Sequence, residues 1–129
     1  MNIEQGVGVM TPAPLRDQAA MDRQAVAACM QAAGMRILNQ AWRHDGRSLD
    51  VVAAQDRTLI ICHIKSAETG DPVPDGLLTQ GQKTRLRRTA ASWMIANGVI
   101  FGELRIDVAI VVTDAAGARC VAAYQPAAG

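Results

Sequence analysis

Two short apolar segments between residues 48 and 65 predict a central β-hairpin. Leu49–Ala54 and Leu59–Lys65 are mainly aliphatic, and the second is rich in β-branched residues and has no Gly or Pro, as expected for a central strand. A short polar turn at residues 55–57 joins them. The rest of the fold is predicted to be arranged around this hairpin.

Three polar side chains interrupt the apolar hairpin near one end. Because side chains alternate between the two faces of a strand, His63 and Lys65 share one face, and a turn with an even number of residues places Asp50 opposite His63 on that face. Asp50, His63 and Lys65 are therefore predicted to converge.

A carboxylate, a second ligand and a lysine are typical of metal-dependent phosphodiesterase sites. Carboxylate oxygens bind Mg²⁺ or Mn²⁺, the metal activates water, and a lysine stabilises the developing charge. The alternative is structural: Asp50 and Lys65 are solvated strand ends, and His63 fills an edge position. Spacing alone leaves both interpretations open.

Two segments have the apolar spacing of helices that pack against a sheet. The first is Arg16–Ala33, followed by Gly34, which is typical of a helix C-cap. The second begins at Thr79, with Gln82 placed to complete a capping box, and ends at Gly98. The predicted apolar stripes are Ala19, Val26, Met30 and Ala33 in the first helix, and Leu86, Ala90, Trp93 and Met94 in the second.

The remaining apolar segments predict further strands. Met35–Leu38 is predicted as a short strand followed by Asn39–Arg43, and an Asp-Gly turn at residues 44–47 leads into the central hairpin. Leu104–Thr113 and Arg119–Tyr124 are predicted as the last two strands. The order α, β, β, β, α, β, β indicates an α/β fold with a mixed β-sheet flanked by helices.

Length and composition limit the domain organisation and the partners. The 129 residues are enough for one domain, predicted over residues 15–125, with a flexible N-terminal arm at 1–14 and a C-terminal tail at 126–129. The net charge of +1 means that any attraction to nucleic acid must be local. Three cysteines without a CxxC pair favour a reducing cytoplasm, and no signal peptide, membrane span or membrane partner is predicted.

The loop at residues 66–76 leaves the predicted site and contains two prolines and two glycines. Such a loop is either a mobile lid or a plain connector.

The second helix has a run of basic residues without interleaved acids, which predicts contacts with nucleic-acid phosphates. The alternative is a solvated helix face. No aromatic residue accompanies the run, so base readout is not predicted. The candidate nucleic-acid-binding residues are Lys83, Arg85, Arg87 and Arg88.

The chain resembles the YraN-like family of small bacterial proteins over about residues 15–124, in AVAACMQAAGMRILNQAWRHDGRSLDVVAAQDRTLIICHIKS, LLTQGQKTRLRRTAASWM and LRIDVAIVV. The resemblance implies a restriction-endonuclease-like fold, in the PD-(D/E)xK nuclease superfamily. Kinship with these nucleases implies metal-dependent cleavage of nucleic acid, by analogy of fold and site.

The chain departs from the family pattern at most of the acidic positions. The family's G-E-I-D and V-E-V-K runs read R-S-L-D and C-H-I-K here, so Asp50 and Lys65 are kept. Asp22 lies next to the lost acidic position of the first helix. The residues that replace family acids are Arg23, Ser48 and His63.

These replacements predict a nuclease-fold protein whose catalytic site is impaired or lost, because Mg²⁺ binds weakly to a single carboxylate. Asp50, His63 and Lys65 form the remnant site, and Asp50 and His63 are weak metal ligands at most, so no cofactor is expected. The expected partner is nucleic acid, DNA in preference to RNA, or a DNA-processing protein.

Two other functions stay open. A divergent endonuclease would use Mg²⁺ or Mn²⁺, or a softer metal that imidazole suits, and recruit Asp22. A protein-interaction subunit is the third possibility. The sequence leaves the oligomeric state open.

Overall fold

The computed structural model describes residues 15–128 and consists of a five-stranded mixed sheet with one helix packed on each face. The strands lie in sequence order; β3 and β4 are parallel and the other neighbours antiparallel. The predicted fold class and element order are confirmed, while the predicted arm at 1–14 lies outside the described residues. The elements are α1 (Leu15–Ala32), β1 (Arg36–His44), β2 (Arg47–Gln55), β3 (Thr58–Ser66), α2 (Gln80–Asn97), β4 (Glu103–Thr113) and β5 (Arg119–Gln125).

The central hairpin has the predicted two strands and a tighter turn. Residues 56 and 57 connect Gln55 to its partner Thr58, and the antiparallel register runs from that pair to Val51 opposite Cys62. The turn therefore has an even number of residues, so continuing the register brings Asp50 level with His63.

Strand β1 is longer than the predicted strand at Met35–Leu38, because it continues through residues 39–43 to His44. Its register with β2 shifts between Ile37 and Asn39, which marks a β-bulge, and Leu38 is exposed. The bulge breaks the alternation of apolar side chains, which is why the sequence pattern indicated an interruption. Asp45 and Gly46 both have positive φ, 50° and 75°, as in a type I′ hairpin turn, and this confirms the predicted Asp-Gly turn.

Helix α2 has the predicted start and end. The Thr79 hydroxyl accepts the Gln82 backbone N–H, and the Gln82 side chain accepts the Thr79 N–H. Gly98 ends the helix in the left-handed conformation, with φ of 65°. The indole Nε1 of Trp93 donates to Asn39 Oδ1 at 2.9 Å, which ties the buried face of α2 to β1.

Each helix covers its own hydrophobic core. Val26 and Met30 of α1 are fully buried on one face of the sheet, and Leu86 and Trp93 of α2 are buried on the other. Ala33, predicted on the α1 stripe, is exposed because the helix ends at Ala32. No helix within residues 15–128 is long and apolar enough to cross a membrane.

A buried carboxylate fastens the chain after β5 to β4. Asp107 is completely buried and accepts two hydrogen bonds from Arg105, at 2.9 Å each, and one from the Tyr124 hydroxyl. The Ala127 backbone N–H also donates to Asp107, and the Ala128 N–H donates to the β4 backbone. Residues 127 and 128, within the predicted tail, are thus hydrogen-bonded to β4.

Candidate functional site

Asp50 and His63 lie side by side where β2 separates from β3. Beyond Val51, the Asp50 carboxylate accepts the Ile64 backbone N–H at 2.8 Å. The His63 Nδ1 atom lies 3.6 Å from Asp50 Oδ2, a close polar contact that is longer than a hydrogen bond. The structure thus brings together two of the three residues of the predicted remnant site, both half-buried.

A cavity of about 230 Å³ opens in front of these two side chains. We name it the Asp–His pocket. The turn between β1 and β2 and the first turns of α2 complete its wall. Its lining residues are Gly46, Arg47, Ser48, Asp50, His63, Gln82, Arg85 and Leu86.

A second cavity, of about 440 Å³, adjoins the first and shares Arg47 and Arg85 with it. We name it the arginine groove. It follows the first turns of α2, and none of its lining residues is acidic. Its lining residues are Arg47, Gln80, Gly81, Thr84, Arg85 and Arg88.

Lys65, the third residue of the predicted remnant site, is held by the loop between β3 and α2. Its Nζ donates to the Asp75 carbonyl at 2.9 Å and to the Leu77 carbonyl, and lies 3.4 Å from Asp75 Oδ1. Within residues 15–128, no hydrogen bond or ion pair joins it to Asp50 or His63. The lysine therefore anchors the loop in this structure.

Asp22, the acid that a divergent enzyme would recruit, is engaged elsewhere. Its carboxylate accepts two hydrogen bonds from Arg119, at 2.8 and 2.9 Å, and one from the Ser66 hydroxyl at 2.7 Å. Burial alone would raise the pKa of Asp22, but the bonds from Arg119 and Ser66 outweigh burial and lower it. Asp22 and Arg23 belong to α1 and line neither cavity.

The predicted basic run divides into two sets on α2. Arg85 and Arg88 line the arginine groove, whereas Lys83 and Arg87 do not. Arg47 joins the first set from the start of β2. Sequence reasoning missed Arg47 as a binding residue because its approach to α2 depends on how the helix packs on the sheet. One indication of its role was available in the sequence, because Arg47 lies only three residues before Asp50.

Comparison with known families gives a match to the model of the uncharacterised protein family UPF0102 over residues 23–111. The chain belongs to this family. UPF0102 is the YraN-like family that the sequence resembles, so the recognition made from the residues is confirmed.

Three UPF0102 proteins illustrate the likeness. The protein of Oleidesulfovibrio alaskensis is 32% identical over 96 residues, which cover 74% of this chain and 48% of that protein. Those of Beutenbergia cavernae and Nitratidesulfovibrio vulgaris are 32% and 33% identical, with 71% and 73% of this chain and 79% and 69% of those proteins covered. The chain thus spans about half the length of the Oleidesulfovibrio relative.

The pocket of this UPF0102 chain does not fit the divalent cation that the resemblance implies. Mg²⁺ prefers oxygen ligands in near-octahedral geometry. The pocket offers one carboxylate, which already accepts the Ile64 N–H, and one imidazole, while Arg47 and Arg85 bring positive charge. Within residues 15–128, no three His, Cys, Asp or Glu side chains are grouped to hold a metal ion. The donor set suits an anion better than a cation.

We expect this UPF0102 chain to show no saturable Mg²⁺ binding at micromolar concentrations, because one carboxylate beside two arginines is too weak a site. Isothermal titration calorimetry checks this. The matched gain-of-binding variant is Ser48→Glu with His63→Glu, since both positions line the pocket with Asp50. Micromolar affinity in the unaltered chain, lost in Asp50→Ala, would contradict the expectation.

Proposed function

We propose that this chain binds the phosphate backbone of nucleic acid through the arginine groove, and that the Asp–His pocket is the remnant of a catalytic site. The observation that carries the proposal is the convergence of Arg47, Arg85 and Arg88 from two elements on adjoining cavities. Within residues 15–128, none of the three forms an ion pair. Their charges are thus available to an anionic ligand.

The electrostatics of the groove favour the binding of phosphate. Guanidinium groups bind phosphate oxygens through two parallel hydrogen bonds, which a lysine cannot do. The groove also follows the N-terminal turns of α2, where the helix dipole favours negative charge. The net charge of only +1 gives the whole molecule little attraction for nucleic acid. The clustered arginines of the groove supply that attraction locally.

We propose that the nucleic acid is DNA. Binding to RNA is compared with binding to DNA in the assay described below. The proposed setting is the cytoplasm, where the free thiols of Cys29, Cys62 and Cys120 are kept reduced. Burial raises the pKa of the Cys62 thiol, so this cysteine is unreactive there.

A divergent endonuclease is the second candidate, and the contact between Asp50 and His63 favours it. The two side chains line a pocket that shares Arg47 and Arg85 with the groove, so a bound phosphate would lie close to them. A plasmid-nicking assay with Mg²⁺ or Mn²⁺ tests this candidate. Nicking that is lost in both Asp50→Ala and His63→Ala would favour it over binding alone.

The test of the proposal is a pair of double variants with equal loss of charge. Replacing Arg85 and Arg88 with glutamine should weaken DNA binding at low salt by about ten- to a hundredfold, since each lost charge-assisted bond contributes about 1 kcal/mol or more. Fluorescence anisotropy of a labelled duplex measures this.

The matched control is Arg36→Gln with Arg57→Gln. Both side chains are exposed, and they lie at the other end of β2, beside Ala54 and in the turn after Gln55. The control should bind almost as tightly as the unaltered chain. Equal losses in the two double variants would refute a specific groove and leave only general attraction.

A further inference from the structure

Two aromatic rings stack at the tip of the β1–β2 hairpin. The rings of Trp42 and His44 have centroids 5.6 Å apart and planes inclined by 18°. The His44 side chain is 50% exposed and lies at the end of the strand, while Trp42 packs partly against the α2-side core. One ring is therefore fixed by the core, and the other presents surface to solvent.

The strand register places this ring pair on the same face of the sheet as the arginine groove. His44 pairs with Arg47, and Trp42 pairs with Leu49, which belongs to the α2-side core. Directly opposite residues of an antiparallel pair share a face, with Cβ atoms about 5 Å apart. The exposed ring thus lies beside an arginine that lines both cavities.

We infer that Trp42 and His44 form a base-stacking subsite, which takes an unpaired base of the strand whose phosphates lie in the arginine groove. The inference rests on the proposed function and narrows its substrate to nucleic acid with a single-stranded stretch. A positively charged groove next to aromatic rings is the arrangement by which proteins hold single strands without reading their sequence. The basic run alone gave no such indication, because these rings come about forty residues before it in the chain.

The geometry suits an unpaired base rather than a paired one. A base within a duplex has its faces covered by its neighbours, whereas an unpaired base is free to stack on an aromatic side chain. Because Trp42 is held between the core and His44, the platform is ordered before the base arrives. Such a preformed surface reduces the entropy lost on binding.

The deciding experiment compares a single-stranded DNA oligonucleotide with a strand of the same length and charge in which abasic residues replace the bases. The unaltered chain should bind the base-containing strand about tenfold more tightly, within the range measured for stacking of one base. His44→Ala should remove most of this preference, and His44→Tyr should restore it. Arg85→Gln with Arg88→Gln should weaken both strands and keep their ratio.

Tryptophan emission gives a second measurement that does not depend on a variant. Trp93 is only 4% exposed, whereas Trp42 is partly exposed and stacks on His44, so a base bound at the ring pair changes the surroundings of Trp42 alone of the two tryptophans. The base-containing strand should quench the emission, and the abasic strand should not.

The two proposals fail in different ways. If the unaltered chain binds the two strands equally, the stacking subsite is wrong and the phosphate groove stands. If it binds neither strand but binds the duplex, the stacking subsite is wrong, and if it binds none of the three at low salt, both proposals are wrong. A preference for bases that His44→Ala leaves intact would also refute the subsite.

Discussion

Replacing Asp22 with alanine is expected to lower the free energy of unfolding by about 3–5 kcal/mol, because it leaves a buried arginine without its counter-ion. Asp22 and Arg119 are both almost fully buried and are joined by two hydrogen bonds. The remaining Arg119 would keep its bonds to the Ala67 carbonyl and the Thr113 hydroxyl, but its charge would be uncompensated. Urea unfolding followed by circular dichroism measures the loss.

Two further variants test whether the loss of stability comes from the broken ion pair. Asp71→Ala removes an exposed carboxylate and should change stability by about 0.5 kcal/mol or less. Asp22→Leu with Arg119→Met replaces both charges by apolar groups and should be more stable than Asp22→Ala. A loss in Asp22→Ala no larger than that in Asp71→Ala would contradict the described contacts.

The Asp22–Arg119 pair should also make stability depend on acid pH. The folded pKa of Asp22 lies below its ordinary value of 3.8. A carboxyl whose folded pKa is lowered contributes stability above the unfolded pKa, and that contribution is lost as pH falls through the folded pKa. The stability difference between the unaltered chain and Asp22→Ala should therefore be constant near neutral pH and shrink below about pH 4.

The second large effect is expected at Asp107, where alanine should cost about 3 kcal/mol or more. The substitution removes the acceptor for Arg105, the Tyr124 hydroxyl and the Ala127 N–H in one step. Burial raises the pKa of the Tyr124 phenol, and its bond to Asp107 raises it further, so the hydroxyl stays a donor. Thermal unfolding measures the loss.

Tyr124→Phe is the matched control for Asp107→Ala. It removes one donor and leaves the bidentate bond between Arg105 and Asp107, so it should cost about 1 kcal/mol. If the two substitutions cost the same, the ion pair contributes little, and the hydroxyl bond accounts for the effect.

Local signals in the sequence were sufficient for most of the fold. The capping box at Thr79 and Gln82, the glycine at 98 and the aliphatic β3 strand each involve neighbouring residues, and each matches the structure. Strand β1 was misread because a bulge at Leu38 breaks the alternation on which the reading depends. Local patterns identify elements well and irregularities within them poorly.

In the candidate site, too, the contacts set by local sequence could be predicted and the others could not. The closeness of Asp50 and His63 depends on two things. The alternation of side chains along the strands is readable from the sequence, whereas the even turn is not, because the predicted turn at 55–57 has three residues and the structure has two. The Lys65 contact with Leu77 depends on the path of a loop, and the Asp22–Arg119 pair joins residues 97 positions apart. The sequence around Lys65 and around Asp22 gives no indication of these partners.

The salt dependence of DNA binding is the sharpest test of phosphate binding by the arginine groove. The logarithm of the binding constant falls linearly with the logarithm of salt concentration, with a slope of about −0.9 for each phosphate neutralised on duplex DNA. Contacts from Arg47, Arg85 and Arg88 predict a slope of about −3 for the unaltered chain, and about −1 after Arg85→Gln with Arg88→Gln. The Arg36→Gln, Arg57→Gln control should keep the original slope. A slope that the groove variant leaves unchanged, or no binding at low salt, would show that the arginine groove does not bind DNA phosphates.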